Sequence, residues 1–215
     1  MDETWWSNRL IVIEGPIGVG KTSFARLLAK EFDAELVLEN AEENPFLPSF
    51  YQHPEKWGFQ TQIFFLLSRM RQMEVLSQPG LFSKTTITDY FLPKDRIFAY
   101  ANLSEQELIL YEQIYKLLNL NLLKPDMVIF LQADTKTLLS RIRQRGRDYE
   151  KTIDADYLSR LNEAYNRFFF YYEESPLLMV QTSDIDFVEY PSDFSDLIKQ
   201  IKQMKRGKTY YHPVR

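Results

Sequence analysis

The sequence contains no cysteine, which excludes disulfide bridges, thiolate nucleophiles and zinc sites built on sulfur. It has only two histidines, and His53, in front of Pro54, has no sequence neighbours that suggest a triad or a metal site. No apolar run approaches the ~18 residues of a membrane span, and Met1-Asp2-Glu3 lacks the basic start of a signal peptide. Basic charge is not in excess either. Lys and Arg number 26 against 30 Asp and Glu, a net charge of −4, which argues against a dedicated nucleic-acid binder. These absences lead to the expectation of a cytoplasmic globular protein that partners neither nucleic acid nor membrane. Apolar residues make up 45% of the 215 positions, enough for a real core, and the length suits one domain over residues 1–215.

Glycine is also scarce, at seven residues, yet Gly15, Gly18 and Gly20 fall within six consecutive positions. Backbone freedom is thereby concentrated in one place. The apolar run Leu10-Ile11-Val12-Ile13 has the character of a strand buried on both faces. Beyond it, Gly15-Pro16-Ile17-Gly18-Val19-Gly20-Lys21-Thr22 fits G-x-x-x-x-G-K-[ST], and Ser23 to Lys30 continues with helical spacing. A strand before and a helix after is the setting this motif requires. Such glycines let backbone N–H groups surround phosphate oxygens at the positive end of a new helix. Lys21 is then expected at the β- and γ-phosphates, with the Thr22 hydroxyl on Mg²⁺. The bland alternative is a glycine-rich turn that only joins strand to helix.

Four more runs read as strands: Glu35–Leu38, Thr85–Thr88, Met127–Leu131 and Leu177–Gln181. Helical patterns lie between them at 22–32, 55–77, 104–122, 135–145, 154–172 and 193–205. Alternation of this kind predicts an α/β fold with a five-stranded parallel sheet covered by helices on both faces. The helix from Trp57 to Ser77 and the one opened by the capping-box spacing of Ser104-Glu105-Gln106-Glu107 carry apolar residues around more than one stripe. Helices apolar all round need a second partner, so a homodimer through a helical interface is expected, a thicker monomer core being the alternative. Trp57, Phe59, Phe64 and Phe65 are read as packing, Phe168 to Tyr172 as a buried helix end, and Lys202 to Arg215 as a frayed helix and tail. Trp5-Trp6 is read as an anchor for the first strand or a neighbouring chain.

Ligands of open parallel sheets sit outside the carboxyl ends of the strands. Glu39 and Asp89 each follow a strand, so both are candidates for the crevice beside the phosphate loop, one to take a proton and one to hold Mg²⁺. Arg141, Arg143, Arg145 and Arg147 form a cluster at a helix end marked by Gly146. Arg145 and Arg147 suit a loop that closes over a triphosphate, while Arg141 fits either that role or a solvated helix face.

Taken in order, these segments resemble the deoxyribonucleoside kinase family, in its bacterial deoxyadenosine/deoxyguanosine kinase branch. The likeness is carried by IEGPIGVGKTSFA at the phosphate loop, by LEN and NPFL at 38–47, and by FYQHPEKWGFQTQIFFLLSRM at 50–70. It continues with TDYFLPKDRIFA at 88–99 and RIRQRGRDYEKTIDADYLSRLNEAY from Arg141. It implies the three-layer P-loop kinase fold with an arginine-rich lid at about 143–152, and ATP with Mg²⁺ as cofactors. The implied reaction is phosphorylation of a deoxynucleoside, a purine one for this branch, at its 5′-hydroxyl for nucleotide salvage. By the same resemblance Glu39 is the general base, Tyr51 and Glu150 hold the 3′-hydroxyl, and Gln62, Arg69 and Asp95 meet the edge of the base beside the aromatic wall of Phe98. Gly15 to Ser23 together with Arg141 hold ATP, Arg145 and Arg147 close the lid, and Thr22 and Asp89 hold the metal. One departure stands out. Many family members carry an acid-Arg-Ser triplet after the third strand; here it is Asp89-Tyr90-Phe91, leaving Arg96 or a lid arginine to substitute, and Tyr90 is given no role. Two rivals remain at this level: a nucleoside-monophosphate kinase of thymidylate-kinase type, whose acceptor phosphate could use Arg69, and a nucleotide-binding module without catalysis.

Overall fold

A computed structural model of the chain describes residues 8–76, 85–118, 123–204 and 206–213. The run at Leu10–Glu14 forms strand β1, every residue of it buried. Helix α1 (Lys21–Glu31) follows, and then strand β2 (Glu35–Val37). Helices α2 (Leu47–Gln52) and α3 (Pro54–Leu76) lead to strand β3 (Thr86–Thr88), and α4 (Lys94–Asn102) and α5 (Glu105–Leu117) to β4 (Met127–Gln132). The chain ends with α6 (Thr135–Arg145), α7 (Ala155–Tyr171), β5 (Leu177–Gln181), α8 (Pro191–Gln203) and β6 (Lys208–Tyr211).

The strands form one parallel sheet in the order β2-β3-β1-β4-β5-β6. Side chains of a strand alternate between faces, and the central strands obey this closely. Ile11, Ile13, Ile129 and Leu131 join Phe24, Leu28, Leu197 and Ile201 in the core under α1 and α8. Leu10, Val12, Val128 and Phe130 face the other way, onto Leu161, Tyr165 and Phe169 of α7. Smaller in extent, a third cluster of Leu66, Leu92, Ala99 and Tyr111 ties α3, α4 and α5 together beyond the sheet.

Register decides where the acids go. Val12 pairs with Thr88, and Thr88 with Val37, so Glu14, Asp89 and Glu39, one or two residues further on, emerge at the same carboxyl edge of the sheet. The phosphate-loop segment leaves β1 at this edge.

Several sequence-based expectations are corrected. The sheet has six strands rather than five. The segment expected as frayed helix and tail supplies β6, which pairs with β5 from Leu177↔Lys208 to Val180↔Tyr211. Gly207, at φ +74°, turns the chain into it. Its Thr-Tyr-Tyr run has strand propensity, but a four-residue edge strand inside a basic segment leaves little pattern to read. Helix α4 was not anticipated, because Lys94 and Asp95 interrupt its apolar spacing. Phe168 to Tyr172 is only partly a buried end: Phe169 and Tyr172 are buried, while Phe170 and Tyr171 are 60% and 72% exposed. The long helix begins at Pro54 and ends at Leu76, so Ser77 lies outside the described residues, as do Trp5, Trp6 and positions 119–122 of the second predicted helix. The Ser104 capping box is formed, with Glu107 Oε2 accepting from the Ser104 backbone N–H at 2.9 Å.

Candidate active site

The loop after β1 can take its path only with glycine. Gly15 has φ +151°, and a Cβ there would lie 2.4 Å from the Leu131 carbonyl oxygen. Gly18 has φ +85°, and its Cβ would lie 2.8 Å from the Leu138 carbonyl oxygen. Positive φ and close backbone approach both exclude other side chains. Lys21, at the first position of α1, folds back and donates to the carbonyls of Gly15 (2.8 Å) and Pro16 (3.1 Å). Burial, then the nearby Lys94 ammonium, push the Lys21 ammonium down to about 8. Thr22 donates its hydroxyl to Asp89 Oδ2, and Asp89 Oδ1 accepts from the Glu39 backbone N–H at 2.8 Å. One carboxylate thus joins the start of α1 to the segment that carries Glu39.

Behind this pair lies a buried ionic cluster. Arg69, 4% exposed on α3, donates from Nε to Glu39 Oε1 at 2.6 Å and from Nη1 to Asp95. Its guanidinium lies 4.8 Å from the centre of the Phe65 ring. Lys94, on the first turn of α4 and 2% exposed, stands 3.1 Å from Glu39 Oε2 and 3.4 Å from Glu14 Oε1. Burial by itself would raise the Glu39 carboxyl, but Arg69 and then Lys94 overcome it and hold the group at about 2. For Lys94, burial opposes the charge, and Glu14 with Glu39 lift its pKa nonetheless. Glu14 is wholly buried, and burial raises its carboxyl against the pull of Lys94. Asp95 is wholly buried too. It accepts from Gln62 Nε2 (2.8 Å) and Tyr111 Oη (2.6 Å) as well as from Arg69, yet burial keeps its carboxyl above the ordinary value.

A cavity of about 860 Å³ opens over these groups, a size suited to small organic ligands. Ile17 to Ser23 line it, and so do Arg141, Arg145 and Arg147. Glu39, Tyr51, Gln62, Arg69, Asp89, Phe98 and Glu150 line it as well. Of the residues singled out in the sequence, Gly15, Pro16, Asp95, Arg96 and Arg143 lie off the cavity wall. Gly15 and Pro16 hold Lys21 from beneath, and Asp95 sits behind Gln62 and Arg69.

The lid is tied down by its own charges. Arg145 grips Glu150 with Nη2 at 2.8 Å from both carboxylate oxygens. Arg147 reaches Glu42 at 3.0 Å, and Tyr149 stacks on Tyr51 with ring centres 6.0 Å apart. Arg141 clamps a different loop, donating to the Thr182 carbonyl at 2.8 Å and the Ile185 carbonyl at 3.1 Å. Arg96, a candidate for the arginine missing at position 90, is turned outward to Glu112 at 2.8 Å and is not on the cavity wall. Besides Arg69, the cation that meets Glu39 is Lys94. Neither this lysine nor the wall formed by Asp186, Phe187 and Val188 next to the phosphate loop was expected from the sequence. A single lysine between Pro93 and Asp95 carries no spacing signal.

Thr22 and Asp89 suit a magnesium ion, which is commonly held by one or two protein oxygens while phosphates and water complete its shell. No group of three or more acidic or histidine side chains forms a closed metal cage among the described residues.

The profile of the deoxynucleoside kinase family matches residues 11–205. The chain belongs to that family. As a deoxynucleoside kinase it is an ATP-dependent phosphotransferase with an alcohol acceptor. It is 40% identical to a deoxyguanosine kinase of Bacillus subtilis, over 90% of this chain and 96% of that one. A deoxyadenosine/deoxycytidine kinase of the same organism is 27% identical over 90% and 92% of the two chains. Among solved structures, a deoxyadenosine kinase from M. mycoides with bound dATP superposes with a TM-score of 0.78 at 27% identity, covering 91% of this chain and 100% of that one. The α/β fold with its parallel sheet is the one these kinases share.

Proposed function

We propose that this kinase phosphorylates a purine deoxynucleoside, deoxyguanosine foremost, at the 5′-hydroxyl, with Glu39 accepting the hydroxyl proton. The observation that carries the reading is the seat of Glu39: an ionised carboxylate on the cavity wall, joined through its backbone to Asp89 and so to Thr22 at the phosphate loop. The base preference is supported by the 40% identity to a deoxyguanosine kinase.

In this reading Lys21 and the backbone of residues 15–22 hold the β- and γ-phosphates, and the lid arginines Arg145 and Arg147 compensate charge on the transferring group. Thr22 and Asp89 would hold Mg²⁺, which supplies charge neutralisation between the phosphates when bound. Tyr51 and Glu150 face the sugar, and Gln62 with Arg69 offers an acceptor and several donors to the base, with Phe98 as an aromatic wall. Asp95 acts through both, fixing their orientation. A carboxylate held at about 2 is a weak base. Glu39 therefore orients the hydroxyl first and takes its proton late, as the bond to phosphorus forms, which suits the loose transition state of phosphoryl transfer.

A monophosphate acceptor fits less well, because Arg69, the cation it would need, is already shared by two carboxylates. Two exposed leucines and an isoleucine on α5, Ile109 (63%), Leu110 (46%) and Leu117 (82%), support a homodimer through that helix. A sedimentation mass near 25.6 kDa at micromolar protein would exclude it. No described helix is long and apolar enough to cross a membrane, and the enzyme is assigned to the cytoplasm with the ATP it consumes.

A coupled assay with ATP and the four natural deoxynucleosides, each compared with its monophosphate, tests the substrate. Glu39→Gln is expected to lower kcat by about 10²–10⁴-fold with ATP binding retained. Wild-type turnover in that variant removes Glu39 as the proton acceptor.

A further inference from the structure

Position 90 holds a tyrosine that is 1% exposed and whose hydroxyl has no hydrogen-bond partner among the described residues. It brings no positive charge to Glu39. Four positions on, Lys94 does. Its ammonium lies between Glu39, 3.1 Å away, and Glu14, 3.4 Å away, in the wall of the cavity and next to the phosphate-loop lysine.

We infer that Lys94 is a positioning residue for phosphoryl transfer, the second point of a clamp that fixes the Glu39 carboxylate toward the acceptor hydroxyl. This rests on the proposed role of Glu39. The clamp is visible in the bonding. Arg69 Nε donates to Oε1 and Lys94 Nζ to Oε2, so each carboxylate oxygen is held by one donor and keeps a lone pair for another. With both donors in place the plane of the carboxylate is set; with Arg69 alone it can pivot about a single bond. Glu14 holds Lys94 from the opposite side, and it is the last residue of β1, immediately before the loop that cradles phosphate. Lys94 thereby links the group that receives the proton to the strand that carries the phosphate loop.

A purely structural ion pair does not account for this placement. Burying a charged pair contributes little net stability compared with a packed apolar pair, and the ammonium sits nearer Glu39 (3.1 Å) than Glu14 (3.4 Å) although Arg69 already donates to Glu39. In the transfer step the O5′–H bond breaks and its proton goes to Glu39. The O5′–Pγ bond forms, and the bond from Pγ to the bridging oxygen breaks with its electron pair leaving on ADP. Lys94 exchanges no proton. Its contribution is alignment, so its loss belongs in kcat rather than in KM.

The test uses Lys94→Met, Lys94→Arg and the double variant Glu14→Gln/Lys94→Met, with Glu39→Gln alongside. The double variant removes both members of the buried pair, so that no stranded charge drives unfolding. For Lys94→Met and the double variant, kcat is expected to fall about 100-fold, the cost of a reacting group misplaced by about 1 Å. KM for ATP and for the deoxynucleoside should stay within about threefold, as expected when an interaction made in the transition state is lost. Lys94→Arg should recover most of the rate, since guanidinium also donates to both acids. The inference is overturned if the double variant turns over like the wild type, if the loss lies in KM alone, or if Arg rescues no better than Met. Wild-type activity in Glu39→Gln overturns the underlying role of Glu39 instead, whatever the Lys94 variants do.

Discussion

Arg69→Met should cost about 3 kcal/mol of folding stability at neutral pH, and the structure gives that figure by two routes. The guanidinium is 4% exposed and touches Glu39 and Asp95. Removing one partner from a buried ion pair costs about 3–5 kcal/mol, because the remaining charge is left uncompensated. Tyr111 and Gln62 still donate to Asp95, and Lys94 still faces Glu39, so the lower end applies. The second route is linkage. Burial acts to raise the Glu39 carboxyl, yet Arg69 and then Lys94 hold it at about 2, against an ordinary 4.5. A depression of that size corresponds to about 3 kcal/mol for Arg69 and Lys94 together, acting against burial, which is the same order as the first figure. Its sign is fixed: the folded value lies below the unfolded one, so the stabilisation is present above the ordinary value of 4.5 and is lost as pH falls toward 2. Without Arg69 the Glu39 carboxyl moves up, and this part of the acid dependence flattens. Urea unfolding at pH 7 and at steps down through the acid range reads both effects, with the slope m checking that the unfolded state is unchanged. For a chain of this size the midpoint of thermal unfolding should fall by about 6–12 °C. Adding Asp95→Asn to the variant should restore part of the loss, because it neutralises the stranded charge while keeping an acceptor for Tyr111. A loss below about 1 kcal/mol at pH 7 with m unchanged, or no recovery in the double variant, would refute the view that Arg69 balances two buried acids.

Two further outcomes are expected. Gly18→Ala would set a Cβ 2.8 Å from the Leu138 carbonyl oxygen at φ +85°; strain of about 1–3 kcal/mol should raise the KM for ATP by about tenfold or more, while deoxynucleoside binding measured by titration holds. Tyr111→Phe deletes the 2.6 Å bond to the buried Asp95 and should lower stability by about 1–3 kcal/mol; an unchanged thermal midpoint would show that Gln62 and Arg69 suffice there.

What could be read from the chain, and what could not, divides by sequence distance. The phosphate loop was legible because Gly15 to Thr22 is one contiguous motif with its strand and helix attached, and β1, β4 and β5 were legible as apolar runs. The positions of Glu39 and Asp89 followed from one rule about strand ends. Strand β6 was hidden because an edge strand with an exposed Tyr210 has no apolar run, and only its pairing to β5 gives it meaning. Lys94 and Arg69 show the same limit in the site. Their residue types are plain, but their partners are not: Glu39 lies 55 residues from Lys94 and 30 from Arg69. No local pattern records which carboxylate a buried cation will meet. The turning of Arg96 to Glu112 is of that kind too, since it depends on how α4 packs on α5.

The ionic cluster also explains how an acid-rich edge can serve a triphosphate. In-register strands deliver Glu14, Asp89 and Glu39 to the edge where, in the proposed reading, phosphate sits, and unpaired carboxylates there would repel it. Arg69 and Lys94 remove that obstacle by answering Glu39, Asp95 and Glu14 directly, and Thr22 occupies one oxygen of Asp89. Lys21 is left outside these pairings. Among the described residues it donates to the Gly15 and Pro16 carbonyls, and burial together with Lys94 has weakened its hold on its proton to about 8. A phosphate arriving at the loop restores that hold, because an adjacent anion favours the charged ammonium. In the proposed reading Lys21 therefore gains from the nucleotide what the protein does not supply. In the proposed reading, the same opposition of charges keeps Glu39 ionised for the acceptor and leaves Lys21, bonded to the Gly15 and Pro16 carbonyls, to meet the donor.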